Sequence, residues 1–300
     1  MQVVALFGPT GVGKTAVAVA LADRLRTAGE EPLAVSADAI QVYRGLETLS
    51  GAATADERAR LEHRLLSFVD PRESFSAGAF AERAREVVDG ALAARRRPIV
   101  VGGTGLYLQA ALTDLELRPP PAPGVRERLA AEAAARGTES LHADLAARDA
   151  RVAATIAPGD RSRVLRALEL IESGAEPAPQ GKGSRLWTAR MRHPTLLCGL
   201  VMERRRLYER IDERVDAMVA AGAAEEVRRA DAAGASSTAR AALGFAELLH
   251  GDVEAVKRRT RNLAKRQLTW LRRLEGVEIV DLTEATPQTA AERIDGLLRR

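Results

Sequence analysis

Val3-Val4-Ala5-Leu6-Phe7-Gly8-Pro9-Thr10-Gly11-Val12-Gly13-Lys14-Thr15 runs an apolar stretch into a glycine-rich loop, and an alanine-rich segment of helical spacing follows. The loop is G-x-x-x-x-G-K-[ST] in a strand–loop–helix setting. Such a loop works only at a helix N-terminus, where unpaired backbone N–H groups converge on an anion. Gly8, Gly11 and Gly13 permit the close backbone turn. Lys14 brings a mobile positive charge, and Thr15 can place its hydroxyl on a phosphate-bound Mg²⁺. A glycine-rich turn with an incidental lysine accounts for neither the spacing nor the helix. Residues Gly8, Pro9, Thr10, Gly11, Val12, Gly13, Lys14 and Thr15 are therefore expected to cradle a phosphate or diphosphate; the motif alone leaves open which one.

Outward from this loop the chain alternates. Strands are predicted at Gln2–Phe7, Pro32–Ser36, Leu65–Val69 and Pro98–Val101, and helices at Lys14–Ala28 and Ala77–Arg97. Alternation of this kind implies an α/β fold: a P-loop NTPase-like parallel sheet flanked by helices. Ligands of such sheets sit at the carboxyl ends of the strands. The phosphate loop, Ser36–Asp38 and Gly102–Thr104 all follow strand ends and should face one cleft. Pro119-Pro120-Pro121 breaks the pattern, and from Gly124 to Ser173 the chain is rich in Ala, Arg and Glu and reads as helices. Leu196–Val201 is apolar enough to rejoin the sheet. Helices continue to Leu274, and Glu278–Leu282 reads as an edge strand. The expected organisation is a core begun by residues 1–115, a helical insertion over 116–190, and a return to the core with a helical C-terminal region over 191–300.

At 300 residues with 46% hydrophobic and 29% charged content, the chain is long and apolar enough to bury a sizeable core. No apolar run approaches the roughly 18–20 residues that span a bilayer, and the N-terminus reads as a strand, not as a signal peptide. A lone cysteine, Cys198, excludes an internal disulfide and a cysteine-based zinc site; its neighbours Leu196, Leu197 and Leu200 suggest a buried strand position. His63, His142, His193 and His250 lack metal-ligand spacing. These features fit a reducing cytoplasm. The basic excess is small, 45 Lys+Arg against 41 Asp+Glu, but it is unevenly spread. Between Ala255 and Leu274 no acidic residue occurs, whereas Lys257, Arg258, Arg259, Arg261, Lys265, Arg266, Arg272 and Arg273 do. On a helix, Arg258, Arg261, Lys265 and Arg272 share roughly one face. Such a stripe is either a nucleic-acid surface or a solvated helix face.

Asp38, in Ser36-Ala37-Asp38-Ala39-Ile40-Gln41-Val42-Tyr43, is the acid expected in the cleft. It suits a general base or a Mg²⁺ ligand, with a helix N-cap as the bland alternative. Gln41 offers a donor and an acceptor, as reading a base edge requires. Tyr43 is equally suited to packing. Gly102-Gly103-Thr104-Gly105 is a second strand-to-helix turn and a candidate for the other wall of the site. Ile99-Val100-Val101 runs into glycines instead of the Asp or Asp-Glu that usually ends a second strand in ATPases. Arg204–Arg206, Arg210 and Arg214 recur along one helix; spacing does not say which of them reach phosphate.

Together these segments resemble the tRNA dimethylallyltransferases over nearly the whole chain. The resemblance is carried by Gly8–Thr15, Asp38–Tyr43, His63-Arg64-Leu65-Leu66-Ser67 with Asp70-Pro71, and Gly102–Leu108. It continues through Pro158-Gly159-Asp160-Arg161-Ser162-Arg163, Leu207–Met218 and Arg266-Gln267-Leu268-Thr269-Trp270. The resemblance implies transfer of a dimethylallyl group from its diphosphate to the N6 amine of the adenine 3′ of a tRNA anticodon, with Mg²⁺. It implies Asp38 as the base, with Thr15 and Arg214 on the leaving diphosphate. It also implies tRNA contacts at Asp38, Ala39, Ile40, Gln41, Thr104, Arg163, Arg258, Arg261 and Lys265, a tRNA-binding insertion, and a monomer. Ala39 stands where the family usually has Ser, and Phe245 where it usually has Tyr. The loop Ala175–Ser184 diverges, and the zinc finger of some eukaryotic relatives is not expected. A small-molecule P-loop kinase, an adenylate isopentenyltransferase acting on free nucleotides, and a non-catalytic RNA-binding protein are the rival readings.

Overall fold

A computed structural model describes residues 1–115, 122, 124–175 and 191–300. Strand β1 (Val3–Phe7) is buried at every residue, as an unbroken apolar run in a doubly covered parallel sheet should be. Around it lie β2 (Glu31–Ser36), β3 (His63–Arg64), β4 (Arg96–Gly102), β5 (Thr195–Val201) and β6 (Val277–Asp281). They form a six-stranded parallel sheet in the order β3-β2-β4-β1-β5-β6. β1 pairs with β4 on one side (Val4 beside Ile99) and with β5 on the other (Val4 beside Leu196). The chain thus leaves β1, steps over the place later filled by β4 to lay down β2, and returns. That reversal opens a crevice at the carboxyl ends of β1, β4 and β2. Cys198 lies in β5 with no exposure, and burial pushes its thiol up to about 12.

Two predicted elements shift. The strand expected at Leu65–Val69 forms instead at His63–Arg64, because Leu65 and Ser67 adopt positive φ (58° and 50°) and break the extended backbone. Val69 keeps a single parallel bridge to Tyr43. The helix expected to reach Arg97 stops at Ala93. Arg95 takes φ 55°, which turns the chain and lets β4 start at Arg96.

The chain divides into two compact units, Met1–Leu115 with Ala189–Arg300, and Glu116–Thr188. In the second, helices Val125–Arg136, Thr138–Arg148, Ala150–Ala153 and Arg161–Glu172 enclose their own core of Leu129, Leu141, Leu145, Val152, Val164 and Leu168. Glu169 is buried there and is held by a two-pronged bond from Arg126 (2.8 and 3.0 Å) and by Arg166 (3.0 Å). Of the diverging loop, everything beyond Ala175 falls outside the described residues. In the first unit, helix Val253–Leu271 buries Val256, Thr260, Ala264, Gln267 and Leu271 along one stripe, the helical spacing of a core face. No helix among the described residues is long and apolar enough to cross a membrane.

Candidate active site

The phosphate loop leaves β1 and enters helix Lys14–Thr27 through Gly13, whose φ of 103° is the left-handed conformation that a side chain would strain. The helix has no side-chain cap and no acid in its first turn, so its leading N–H groups stay available to an anion. Lys14 Nζ donates to the carbonyls of Gly8 and Pro9, both at 3.0 Å, which draws the ammonium over the loop. Burial and the nearby Arg214 guanidinium push Lys14 down to about 8, against an upward pull from Asp38. Burial likewise lowers Arg214; Asp38 opposes the shift and Arg210 adds to it. Lys14, Asp38 and Arg214 are therefore electrostatic neighbours although the sequence separates them widely. Thr15 has no side-chain hydrogen bond among the described residues.

Asp38 sits just past β2. Its Oδ1 accepts from Ile40 N (2.9 Å) and Gln41 N (3.3 Å), closing a tight local turn, not capping a helix. Its Oδ2 takes no hydrogen bond among the described residues. Half of the carboxylate is thus used to fix its own orientation, and half remains for chemistry. Gln41 is less free than its residue type suggests. Its Oε1 accepts from Ser36 Oγ (2.8 Å) and its Nε2 donates to the Gly51 carbonyl (3.3 Å). Ala39 and Ile40 are half-buried on the same turn. Tyr43 is 1% exposed and its hydroxyl pairs with Thr238 Oγ1 at 2.6 Å, the packing role. Phe245 is 1% exposed with the Arg240 guanidinium over its ring, so the departure at this position is taken up in the core.

The third wall is the end of β4. A side chain at Gly103 would begin 2.4 Å from Gln267 Nε2, and one at Gly105 would begin 2.2 Å from the Trp270 ring. This close approach is what those glycines serve. Gln267, 7% exposed, is the site residue that the sequence reading left without a role. Its Oε1 accepts from Thr10 N and its Nε2 donates to the Gly103 carbonyl, both at 2.8 Å. One side chain from helix Val253–Leu271 therefore ties the phosphate loop to the β4 turn. The available signal was a long polar side chain on a largely apolar helical stripe. Thr104 caps helix Gly105–Leu112 with no side-chain bond to that helix and is half-buried, leaving its hydroxyl for another partner.

The arginines separate clearly. Arg205 pairs with Glu209 and Arg206 with Glu284. Arg210 instead places Nη2 3.5 Å from where a Gly13 side chain would begin. Arg214 Nη2 donates to the Gly51 carbonyl at 3.2 Å. Lys14, Arg210 and Arg214 thus gather at the loop against Asp38, with Glu57 also acting on Arg214, a surplus of positive charge suited to a polyanion. The basic helix is partly neutralised. Arg261 bonds both oxygens of Asp212 (2.6 and 2.7 Å), Lys257 meets Asp216 (2.8 Å), and Arg259 meets Glu247. Arg258, Lys265 and Arg266 are exposed and without an ion-pair partner among the described residues. Arg163, in the other unit, is exposed and pairs with Asp160 at 3.3 Å while that residue caps its helix. No cluster of three or more acidic, His or Cys groups that could hold a metal occurs among the described residues.

A family model described as IPP transferase matches residues 41–274. The chain is 41% identical to a tRNA dimethylallyltransferase of Anaeromyxobacter dehalogenans (strain 2CP-C), over 98% of this chain and 99% of that one. It is 37% identical to one of Geobacillus thermodenitrificans, over 99% and 95%. Among solved structures it resembles the tRNA isopentenylpyrophosphate transferase of Bacillus halodurans, with 33% identity, a TM-score of 0.70 and coverage of 99% and 95%. A eukaryotic dimethylallyltransferase solved acting on tRNA, 23% identical, shares the fold with a TM-score of 0.75 over all of this chain and 80% of that one.

Proposed function

The chain belongs to the IPP transferase family, the tRNA dimethylallyltransferases, and from that premise we propose that it moves a dimethylallyl group from dimethylallyl diphosphate to the N6 amine of the adenine 3′ of a tRNA anticodon. The observation that carries the chemistry is the grouping of Lys14, Arg214 and a half-uncommitted Asp38 at one phosphate loop. Negative charge grows on the diphosphate as the allylic C–O bond breaks. The loop amides, Lys14, Arg210 and Arg214 are oriented before that charge appears, which is how electrostatic catalysis lowers a barrier. An exocyclic amine is a weak nucleophile because its lone pair is delocalised. Asp38 Oδ2 accepts its proton as the nitrogen attacks carbon.

The adenine must leave the anticodon stack to reach the crevice, at a cost of about a few kcal/mol. Thr104 lines the crevice and suits a contact to the extruded base. Gln41, committed to Ser36 and Gly51, acts through the shape of the Asp38 turn. Arg258, Lys265 and Arg266 supply charge for the anticodon-arm backbone, and the helical insertion with Arg163 contributes a second surface. A Mg²⁺ fits the residues present: the Thr15 hydroxyl makes no hydrogen bond among the described residues and would be the group that holds it. When bound, that ion would neutralise leaving-group charge. We place the enzyme in the cytoplasm, acting as a monomer.

The reading is tested by incubating the purified chain with labelled dimethylallyl diphosphate and unmodified tRNA. Label on the adenine beside the anticodon is expected. Label on free AMP or ATP would point to a nucleotide prenyltransferase, and ATP consumption without label transfer to a small-molecule kinase. Binding of tRNA without turnover would leave an RNA-binding protein.

A further inference from the structure

Helix Glu47–Ser50 is one turn long and has no side-chain cap of its own, because Leu46 occupies the N-cap. The amides at its start still need acceptors. They find them 177 and 178 residues away: Glu226 Oε2 accepts from Leu49 N at 2.9 Å, and Oε1 accepts from Thr48 N at 3.0 Å. Glu226, on helix Ala223–Ala232, is 8% exposed and has no basic partner among the described residues. A carboxylate buried this deeply is costly to keep without strong hydrogen bonds. It is wholly devoted to one turn of backbone.

The other end of that turn is Gly51, at φ 58° and ψ 47°. Its carbonyl accepts from Arg214 Nη2 (3.2 Å) and Gln41 Nε2 (3.3 Å). A side chain at Gly51 would begin 1.6 Å from Arg214 Nη2, so the guanidinium lies against bare backbone. Arg214 makes no other hydrogen bond among the described residues. The carbonyl that fixes the arginine beside Lys14 and Asp38 is thus fixed in turn by Glu226, through a helix too short to hold itself.

We propose that Glu226 is a positioning residue for the diphosphate arginine: it pins helix Glu47–Ser50 so that the Gly51 carbonyl holds Arg214 over the phosphate loop. This rests on the reading that Arg214 meets the diphosphate. Glu226 touches no substrate itself and acts through the backbone. Groups that orient the ligands of a bound metal commonly carry about 10–100-fold in affinity or activity, and a group that orients an anion-binding arginine acts by the same logic.

A double-mutant cycle decides it. Inorganic pyrophosphate with magnesium is titrated calorimetrically into the wild-type chain, Glu226→Gln, Arg214→Ala and the double variant, with melting temperatures recorded alongside. Glu226→Gln keeps shape but loses one acceptor, and should weaken pyrophosphate about 10-fold. In the Arg214→Ala background the same change should alter affinity less than about twofold, because the group it positions is gone. Glu226→Asp, which keeps the charge, should lose less than Glu226→Gln and serves if that variant does not fold. An equal loss in both backgrounds, or no loss in either, overturns the proposal. Wild-type chain that binds pyrophosphate with this coupling yet transfers no label to tRNA would sink the proposed function and leave the role of Glu226 standing. Wild-type chain that binds no pyrophosphate sinks both.

Discussion

Two residues divide the chemistry of the crevice. Asp38→Ala should slow transfer by about 10²–10⁴-fold, the usual range for losing a general base, while tRNA affinity stays near normal. Undiminished turnover would remove Asp38 from that role. Lys14 gives a pH signature. Its folded value, about 8, lies below the ordinary 10.5. Between those values the unfolded chain binds the proton more tightly, so folding stability should rise with pH across that window. Diphosphate affinity runs the opposite way, since the charge that grips the anion is lost as pH climbs through about 8. Dimethylallyl diphosphate titrated from pH 7 to 9.5 should weaken progressively with the wild-type chain. With Lys14→Met binding should be poorer throughout and flatter with pH. Equal slopes would mean that some other group titrates.

At the scale of elements, helix Val253–Leu271 is a wall of the site as well as the surface proposed for RNA. Its last turns bring Gln267 and Trp270 to the site, against which Gly103 and Gly105 close. Gln267→Glu keeps the acceptor for Thr10 N but replaces the donor to the Gly103 carbonyl with a second oxygen. Two acceptors then face each other in a buried place, which typically costs about 1–3 kcal/mol. The melting temperature should fall, and the KM for dimethylallyl diphosphate should rise more than the KM for tRNA. Gln267→Met, apolar and of similar length, leaves both Thr10 N and the Gly103 carbonyl without a partner, so it too should lower the melting temperature. The outer face carries a different expectation. Arg261 is spent on Asp212, so Arg261→Glu should disturb the packing of two helices without much change in how tRNA binding responds to salt.

For the whole molecule, charge and topology act together. Reversing Arg258, Lys265 and Arg266 to Glu should flatten the logarithmic salt dependence of tRNA binding by about 2, from roughly 0.7 per phosphate on single strands. Pyrophosphate binding should stay unchanged. An unaltered slope would make the stripe a solvated face. The topology explains why three loops far apart in sequence meet: β2, β4 and β1 are consecutive in the sheet and parallel, so their carboxyl ends open on one side. Arg210 and Arg214 reach the same crevice from the helix that follows β5.

The sequence by itself determined the sheet class, the phosphate loop and the candidacy of Asp38, because each rests on local pattern: an apolar run, glycine spacing, an acid just past a strand. It also placed Cys198 in a buried strand, from its leucine neighbours. The resemblance pointed to Arg214, but tertiary structure alone put Arg210 beside Gly13 and turned Arg205 and Arg206 to the surface, since helical spacing gives a residue's direction but not what lies opposite. It alone tied Gln267 to Thr10 and Gly103, and Glu226 to a turn 177 residues away. Hydrogen bonds of such range join segments whose separation in the chain carries no trace of their meeting. The strand at His63–Arg64 was hidden for a related reason: positive φ at Leu65 and Ser67 is imposed by the surrounding fold against the preference of those residue types.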